Sequence, residues 1–468
     1  MGDEIGENVG PDFSTLPDNA WVRILQYLSH TDRARVAKTC SLLYGIFSHP
    51  SLWGEQTLTF LGQDHCEGRF EAVFVSKHFM EITKRYGKYF KHLTINVHGH
   101  LRKMSEEIEE VLAEVAEHCR LESLTLNVGV QTSGYHVTYG FGPNRDSFSI
   151  LASFIRNAFK IKRLNIFSWP MFENVLATDE CNVFKALEEN DKLKQNLEAL
   201  TLFWTDGVDW SERMPLLLSP TETLTLINKF KNLTTIGLRS PMLSDELLVH
   251  LASPHLPKFE CLKVIVHYLN KPKYQIPRIE PSTWRALVKR NPEFRVEVSV
   301  FLSTPNLELV SLLTPEVPVS KFSYTKYARC DLATIAKLYS QYNTTLQEFM
   351  CFYDSEHIDE ELIKLCEKCE CLTNFVFLGK IKIGTVKKLA KLRGESWNRF
   401  EVKADLIKIE TEFDNIDEDQ VLYTNERGDL VQVALNRFHA EDGEQIQTMV
   451  TEVSACLGRP WKPTGHRR

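Results

Sequence analysis

Eleven short apolar cores recur along this chain, and any fold proposed for it has to explain why they keep returning. In order they read HLTINV, LESLTLNV, IKRLNIFSW, LEALTLFW, LTTIGLRS, FECLKVIV, FRVEVSVF, SKFSYT, LQEFMCFY, LTNFVFLG and RFEVKA. The first apolar residues of their cores are Leu93, Leu124, Leu164, Leu200, Ile236, Leu262, Val296, Phe322, Phe349, Phe375 and Phe400, separated by 25 to 40 residues. Apolar residues at helical spacing lie between them, as in Ile108, Val111, Leu112, Val115 and Cys119, or Leu332, Ile335 and Leu338. Ser244 opens another such stretch as a helix cap before Asp245-Glu246-Leu247-Leu248. Each strand-and-helix pair has an apolar face that it cannot bury alone, so successive copies must stack.

Periods in the twenties, longer near the start, are those of a leucine-rich repeat array with insertions. A doubly wound sheet would also alternate strand and helix, but it wants a glycine-rich phosphate loop. Tyr139-Gly140-Phe141-Gly142-Pro143-Asn144 lacks the third glycine and the helix start that would make one. With 43% hydrophobic and 25% charged residues the chain can bury a large core, and a net charge of -7 argues against a nucleic-acid binder. The N-terminus lacks the basic and apolar regions of a secretory signal, and no uncharged apolar run approaches the ~18 residues of a membrane span. Eleven scattered cysteines fit reduced thiols, so a soluble cytoplasmic and/or nuclear protein is expected.

The first fifty residues follow a different logic. Pro17 suits a helix start, and Asp18 or Asn19 can accept from first-turn amides. Trp21, Ile24, Leu25 and Leu28 fall on one face. A second helix is expected under Ser29 or Thr31, with Val36, Ala37, Cys40 and Leu43 as its stripe, and His49-Pro50-Ser51 breaks a third segment before Leu52-Trp53. Three helices in about forty residues are too small a core to stand alone, so something else must cover them.

This stretch resembles an F-box in its Leu16-Pro17 start, its Ile24-Leu25-x-Tyr27-Leu28 block, Asp32, the Val36-Ala37-x-x-Cys40 core and the closing Ser51-Leu52-Trp53. Together with the strands, the whole chain resembles F-box proteins that carry leucine-rich repeats. The resemblance implies an α/β fold: an N-terminal three-helix F-box followed by a curved leucine-rich-repeat solenoid with a C-terminal cap. The implied division is a disordered acidic tail at 1–12, the F-box at 13–60, irregular repeats at 61–409 and a capping segment at 410–468. Within that last segment a hairpin is expected at 421–435 around Arg427-Gly428, followed by an Ile446, Met449, Val450, Val453 helix.

The implied function is substrate recognition in a ubiquitin ligase of the adaptor, cullin and F-box type. Leu16, Pro17, Ile24, Leu25, Leu28, Val36, Cys40, Leu52 and Trp53 would meet the S-phase kinase-associated adaptor, and through it cullin and RING subunits, although each also serves internal packing. Arg33 stands where the family usually has an apolar residue and Leu43 where it usually has Trp, which marks docking as weaker than the family norm. The alternative is a leucine-rich-repeat scaffold that uses its F-box outside ubiquitination.

No catalytic residue, metal site or cofactor is expected, nor a membrane partner. Cys366-Glu-Lys-Cys369-Glu-Cys371 is the most metal-like stretch, but it lacks a second ligand pair, and buried free Cys packs as a small hydrophobe. A protein substrate would meet the residues that alternate with the leucines. One row is Thr125, Asn165, Thr201, Gly237 and Lys263; the next is Asn127, Phe167, Phe203, Arg239 and Ile265. Phe167, Phe203 and Arg239 have the composition of a binding hot spot, or else a loop covers them and they are core. The longest gaps carry Tyr135, Tyr139, Phe141, Trp169, Phe172, Trp204 and Trp210, which stacked repeats would place along one rim.

Overall fold

The computed structural model describes residues 16–28, 30–61, 68–98, 101–128, 149–167, 182–203, 218–266, 277–301, 312–325, 330–352, 358–403, 406–408 and 440–464, together with 179–180, 309, 328, 422–424 and 430–432. They form two compact units, residues 1–216 with 226–233 and residues 217–225 with 234–468.

The first unit starts with three helices, α1 (Asp18–Gln26), α2 (His30–Ala37) and α3 (Ser41–Phe47), then a 3-10 turn at Pro50–Leu52. Val22, Leu25, Ala37, Ile46, Leu52 and Trp53 are its buried side chains. The stripe expected on α1 is therefore shifted: Val22 and Leu25 point inward, Ile24 is 43% exposed, and Leu28 lies past the helix end. Pro17 takes the N-cap position without a side-chain bond, so neither Asp18 nor Asn19 caps. α2 is also shorter than expected. It ends at Ala37, Cys40 is the N-cap residue of α3, and Leu43 belongs to α3.

Arg33 explains how so small a set of helices holds together. Its Nε donates to the carbonyl of Leu25 at 2.7 Å, one terminal nitrogen to Gln26 at 3.0 Å and the other to Leu52 at 3.1 Å. The last carbonyls of a helix have no partner within the helix. A planar guanidinium on α2 satisfies two of them on α1 and one on the 3-10 turn, which an apolar residue there could not do.

Five parallel strands follow in this unit: β1 (Glu55–Leu61), β2 (His92–His98), β3 (Ser123–Val128), β4 (Arg163–Phe167) and β5 (Ala199–Phe203), each paired with its sequence neighbour. β1 was not among the expected strands, although its Gln56-Thr57-Leu58-Thr59-Phe60 carries the same alternation as Leu124-Thr125-Leu126. Leu93, Ile95, Leu124, Leu126, Leu164, Ile166, Leu200 and Leu202 are buried against α4 (Gly68–Tyr86), α5 (Leu101–His118), α6 (Ser149–Asn157) and the helices after them. Each such side chain contributes on the order of 1.5–3 kcal/mol when fully buried.

Trp53 joins the helices to the repeats. Its ring stacks on Tyr86 at 4.2 Å, meets Phe47 edge-on at 5.1 Å and lies 6.4 Å from Phe90, while its Nε1 donates to the Phe47 carbonyl at 2.9 Å. The three helices are covered by the end of α4, which answers what completes their core.

The second unit has seven parallel strands in the same sequential order: β6 (Thr235–Arg239), β7 (Cys261–Val266), β8 (Arg295–Val300), β9 (Val319–Tyr324), β10 (Glu348–Cys351), β11 (Asn374–Phe377) and, after the two-residue β12 (Ile381–Lys382), β13 (Arg399–Val402). Ser244 accepts from the Leu247 amide at 3.2 Å, as expected of a cap. In the helix Leu332–Gln341, Ile335 and Leu338 are buried, but Leu332 is exposed because Asp331 caps the helix immediately before it. Toward the end the core becomes aromatic, with Phe375 between Phe349 at 6.0 Å and Phe400 at 5.8 Å.

The helix Ala440–Leu457 buries Ile446, Met449 and Val453. Gly458 ends it at φ +62°, a conformation open to glycine without strain. Trp461 then donates from Nε1 to the Phe400 carbonyl at 2.8 Å, and the Thr464 amide donates to Val402 at 2.8 Å. Backbone at the edge of β13 that would otherwise be open to a further strand is thereby partnered. Leu422–Thr424 and Leu430–Gln432 pair antiparallel about the expected turn.

Candidate adaptor and substrate surfaces

Burial divides the expected docking residues into two sets. Leu25, Leu52 and Trp53 are between 1% and 2% exposed and hold the helices together; they offer a partner no area. Pro17, Ile24 and Cys40 are exposed, while Leu16, Leu28 and Val36 are half-buried. Three residues that sequence reasoning left out of the docking set join the exposed ones: Tyr27 at 82%, Leu42 at 38% and Tyr44 at 52%. Tyr27 stood inside the Ile24-to-Leu28 block, so its signal was present; Leu42 and Tyr44 needed the true start of α3. Four of the nine large exposed apolar side chains among the described residues lie in α1 to α3, a density that marks an interaction surface.

On the strand face of the first unit two inner rows are uncharged, and the charged Glu55 and Arg163 stand only at the strand starts. Register places Thr57, Thr94, Thr125, Asn165 and Thr201 in one row and Thr59, Asn96, Asn127, Phe167 and Phe203 in the next. Asn96 donates to Thr59 at 3.4 Å, Asn127 to Asn96 at 2.8 Å and Asn165 to Thr125 at 3.2 Å. Phe167 is half-buried and directly opposite Phe203, as the spacing predicts. The side chain of Phe203 lies outside the described residues, as do Trp169, Trp204, Trp210 and the insert residues Tyr135, Tyr139, Phe141 and Phe172.

The second unit overturns the expectation for Arg239. It is 2% exposed and cannot flank an open aromatic pair. Its row continues through Ile265 at 9%, the half-buried Ser299, Ser323 at 6%, Met350 at 7% and Val376 at 0%, so most of these inner positions are closed, not presented. The adjacent row is charged and alternates in sign: Lys263, Glu297, Lys321, Glu348, Asn374, Arg399. Lys263 approaches Glu297 at 3.5 Å and Lys321 meets Glu348 at 3.0 Å, so the charges answer one another across neighbouring strands.

The cysteines carry packing. Cys366 and Cys369 are buried on the helix Asp359–Lys368, whose last carbonyls accept from Arg393: Cys366 at 3.0 Å, Glu370 at 2.8 Å and Cys369 as well. Burial pushes the Cys369 thiol up to about 12 and the Cys366 thiol higher still, which favours the neutral thiol at both. Burial, then Glu114, pushes Cys119 up to about 12, and burial followed by Glu297 does the same to Cys261.

Residues 13–59 match a family model described as F-box-like. Over 373 residues the chain is 21% identical to F-box/LRR-repeat protein 21 of Mus musculus, covering 78% of this chain and 76% of that protein. It is 22% identical to the proteins of the same name from Bos taurus and Ovis aries, with 77% of this chain and 76% of each covered. Over most of its length the chain is therefore similar to F-box proteins that carry leucine-rich repeats, and it contains an F-box-like segment near its start. The F-box match ends at residue 59, inside β1, so the matched segment and the first repeat share one strand.

Proposed function

We propose that residues 13–60 dock the S-phase kinase-associated adaptor of a cullin ubiquitin ligase, that residues 61–409 capture a protein for ubiquitination, and that residues 410–468 close the repeats. Transfer of ubiquitin is then the work of the cullin and RING subunits, with no cofactor in this chain. The observation that carries this reading is the coincidence of the F-box-like match with the exposed Ile24, Tyr27, Leu42 and Tyr44. Apolar side chains left in water over so short a stretch gain about 25 cal/mol per Å² when a partner covers them. Capture would fall to the uncharged rows of the strand face around Phe167, with Phe203, Trp169, Trp204 and Trp210 as the aromatic contributors. The nine described cysteines, all free thiols, support a reducing compartment, cytoplasm or nucleus.

Co-purification of the full chain with the adaptor and cullin tests the docking half. Wild type is expected to retain both, and Ile24→Asp with Tyr27→Asp to lose both while keeping its melting temperature, because neither side chain is part of the core. Retention of the adaptor without cullin would favour a scaffold role, and loss of neither in the double variant would end this assignment of the surface. Substrate capture is read separately, by proximity labelling with Phe167→Ala, which is expected to lose labelled proteins while adaptor and cullin still co-purify.

A further inference from the structure

In the first unit the turns that follow helices carry a charge bias that runs against the chain. Residues 88–92, 118–122, 159–163, 191–198 and 229–232, the fourth of these including the short helix Asp191–Asn196 that carries Lys192 and Lys194, hold ten Lys or Arg against three acids, in a protein of net charge -7. Backbone bonds stack these turns: the Ser123 amide donates to Lys91 at 2.9 Å, Arg163 to Glu122 at 3.1 Å, Ala199 to Lys162 at 3.0 Å and Lys231 to Lys194 at 3.1 Å. The cations therefore line one rim, at about the 4.8 Å spacing of neighbouring strands.

Cations at helix C-termini are favoured by the helix dipole, which offers an ordinary explanation. The second unit tests it, because its turns also follow helices. Residues 257–260, 290–295, 315–318, 343–347, 369–373 and 395–399 hold four Lys or Arg against five Glu. Helix ends alone do not produce the bias of the first unit.

Part of the rim is neutralised locally. Lys91 pairs with Glu122 at 3.6 Å, Lys162 with Glu198 at 3.1 Å, Lys194 with Asp191 at 2.6 Å and Lys229 with Glu188 at 3.0 Å. Arg120, Lys160, Lys192 and Lys231 are exposed and make no ion pair among the described residues. Arg120 and Lys160 also stand at a shallow surface hollow of about 30 Å³ between the ends of α5 and α6, bordered by Leu121, Phe154, Phe159 and Ile161. Phe159 is 48% exposed, and the Arg120 guanidinium lies 5.9 Å from its ring centre. An open apolar hollow thus adjoins a row of unpaired cations.

We infer that this rim docks an acidic peptide segment bearing one large apolar side chain. The apolar side chain packs on the exposed ring of Phe159 at the edge of the hollow, and carboxylates along the peptide meet Arg120, Lys160, Lys192 and Lys231. From Lys160 to Lys231 is two strand spacings, on the order of 10 Å, which about three residues of extended chain cover. The negative charge of the rest of the protein repels such a peptide elsewhere and guides it to this rim. A nucleic acid is the poorer fit, since the hollow offers one exposed ring and no second stacking platform. The inference deepens the receptor reading by naming its partner class; adaptor capture is measured separately, so either can fail alone.

The test uses fluorescence anisotropy of the full chain with a fluorescein-labelled peptide carrying Asp and Glu on both sides of one Phe. Wild type is expected to bind with an affinity that falls as salt rises. Lys160→Glu with Lys192→Glu should weaken binding by about tenfold or more and flatten the salt dependence. Phe159→Ala, which removes no charge, should weaken it by about fivefold and leave the salt dependence unchanged, and a peptide with Ala for Phe should lose the same factor. Lys258→Glu in the second unit should change nothing. The inference is overturned if wild type does not bind the peptide at physiological salt, if the double reversal binds as wild type does, or if a single-stranded oligonucleotide binds as tightly as the peptide.

Discussion

The two units are built from the same strand-and-helix repeat, yet they place their charges in opposite locations. In the first, the inner rows of the strand face are Thr, Asn and Phe, and the charge gathers at the strand starts and on the segments that lead into them. In the second, the strand face alternates Lys and Glu in pairs such as Lys321 and Glu348, and the turns are near neutral. A charge answered by its neighbour fixes register and holds a sheet; a charge left open faces a partner. The difference is the ground on which recognition is proposed for the first unit and a supporting role for the second.

The largest expected effects test whether the two units are held in equivalent ways. Trp53 closes the first unit at its start and Trp397, 1% exposed with its Nε1 donating to the Leu389 carbonyl at 3.1 Å, closes the second near its end. Either Trp→Ala change should cost about 3–5 kcal/mol by denaturant unfolding. Trp53→Ala should also lose the adaptor, whereas Trp397→Ala should retain it. Equal loss of the adaptor in both would break the comparison.

Two arginines sharpen it. Arg33 and Arg393 each cap helix carbonyls of a neighbouring segment, Leu25 and Gln26 in one unit, Cys366 and Glu370 in the other. Burial draws the Arg33 pKa below its ordinary value, but far too little to remove the charge. Arg33→Leu, the residue type common in the family, is expected to destabilise by about 1–3 kcal/mol because half-buried carbonyls lose their donors. Arg33→Lys should recover little of that, since one ammonium cannot reach three carbonyls in a plane. Adaptor affinity per folded molecule should be unchanged, which replaces the expectation that Arg33 weakens docking. A gain in affinity for Arg33→Leu at equal stability would reverse that conclusion.

Smaller again are the ladders themselves. A double-mutant cycle on Lys321 and Glu348 should give a coupling of up to about 1 kcal/mol that shrinks as salt is raised. The cycle on Asn96 and Asn127 should give a similar or smaller coupling that salt does not touch. The same salt dependence in both would show that the strand faces do not differ in kind.

Much of this was legible from sequence because L-x-L alternation and irregular spacing are local signals. All eleven expected strands are present, and the leucines that mark them are buried. β1 escaped because it follows closely on the helical segment and carries Gln56 where the next strands carry their first Leu. The buried Asn190 and Asn291 escaped for another reason: their importance is non-local. Asn190 donates to the Ile155 and Ala158 carbonyls at 2.7 and 2.6 Å while capping its own helix, and Asn291 accepts from the Phe259 amide at 2.9 Å. Neither contact leaves a periodic trace. Arg239 was misplaced because strand alternation tells which side a residue faces but not what covers that side. The docking helices were legible by resemblance, and burial then divided the matching residues between core and surface.

The smallest effect concerns pH and again separates the units. His250, in the last turn of the helix Asp245–Leu251 of the second unit, has an Nε2 buried without a partner among the described residues. Burial lowers its pKa from the ordinary 6.5, so the folded state prefers the neutral ring. The unfolded chain then takes up the proton first as pH falls. The stability that His250 contributes is complete above about pH 6.5 and is lost as pH drops through the folded-state value. Melting temperatures measured from pH 7.5 to 5.5 should therefore fall slightly more for wild type than for His250→Gln, and hydrogen exchange should show the excess in the second unit alone. An equal fall in both proteins would mean that water reaches the ring and that the second unit is looser at this helix than its buried neighbours Leu247, Leu248 and Leu251 suggest.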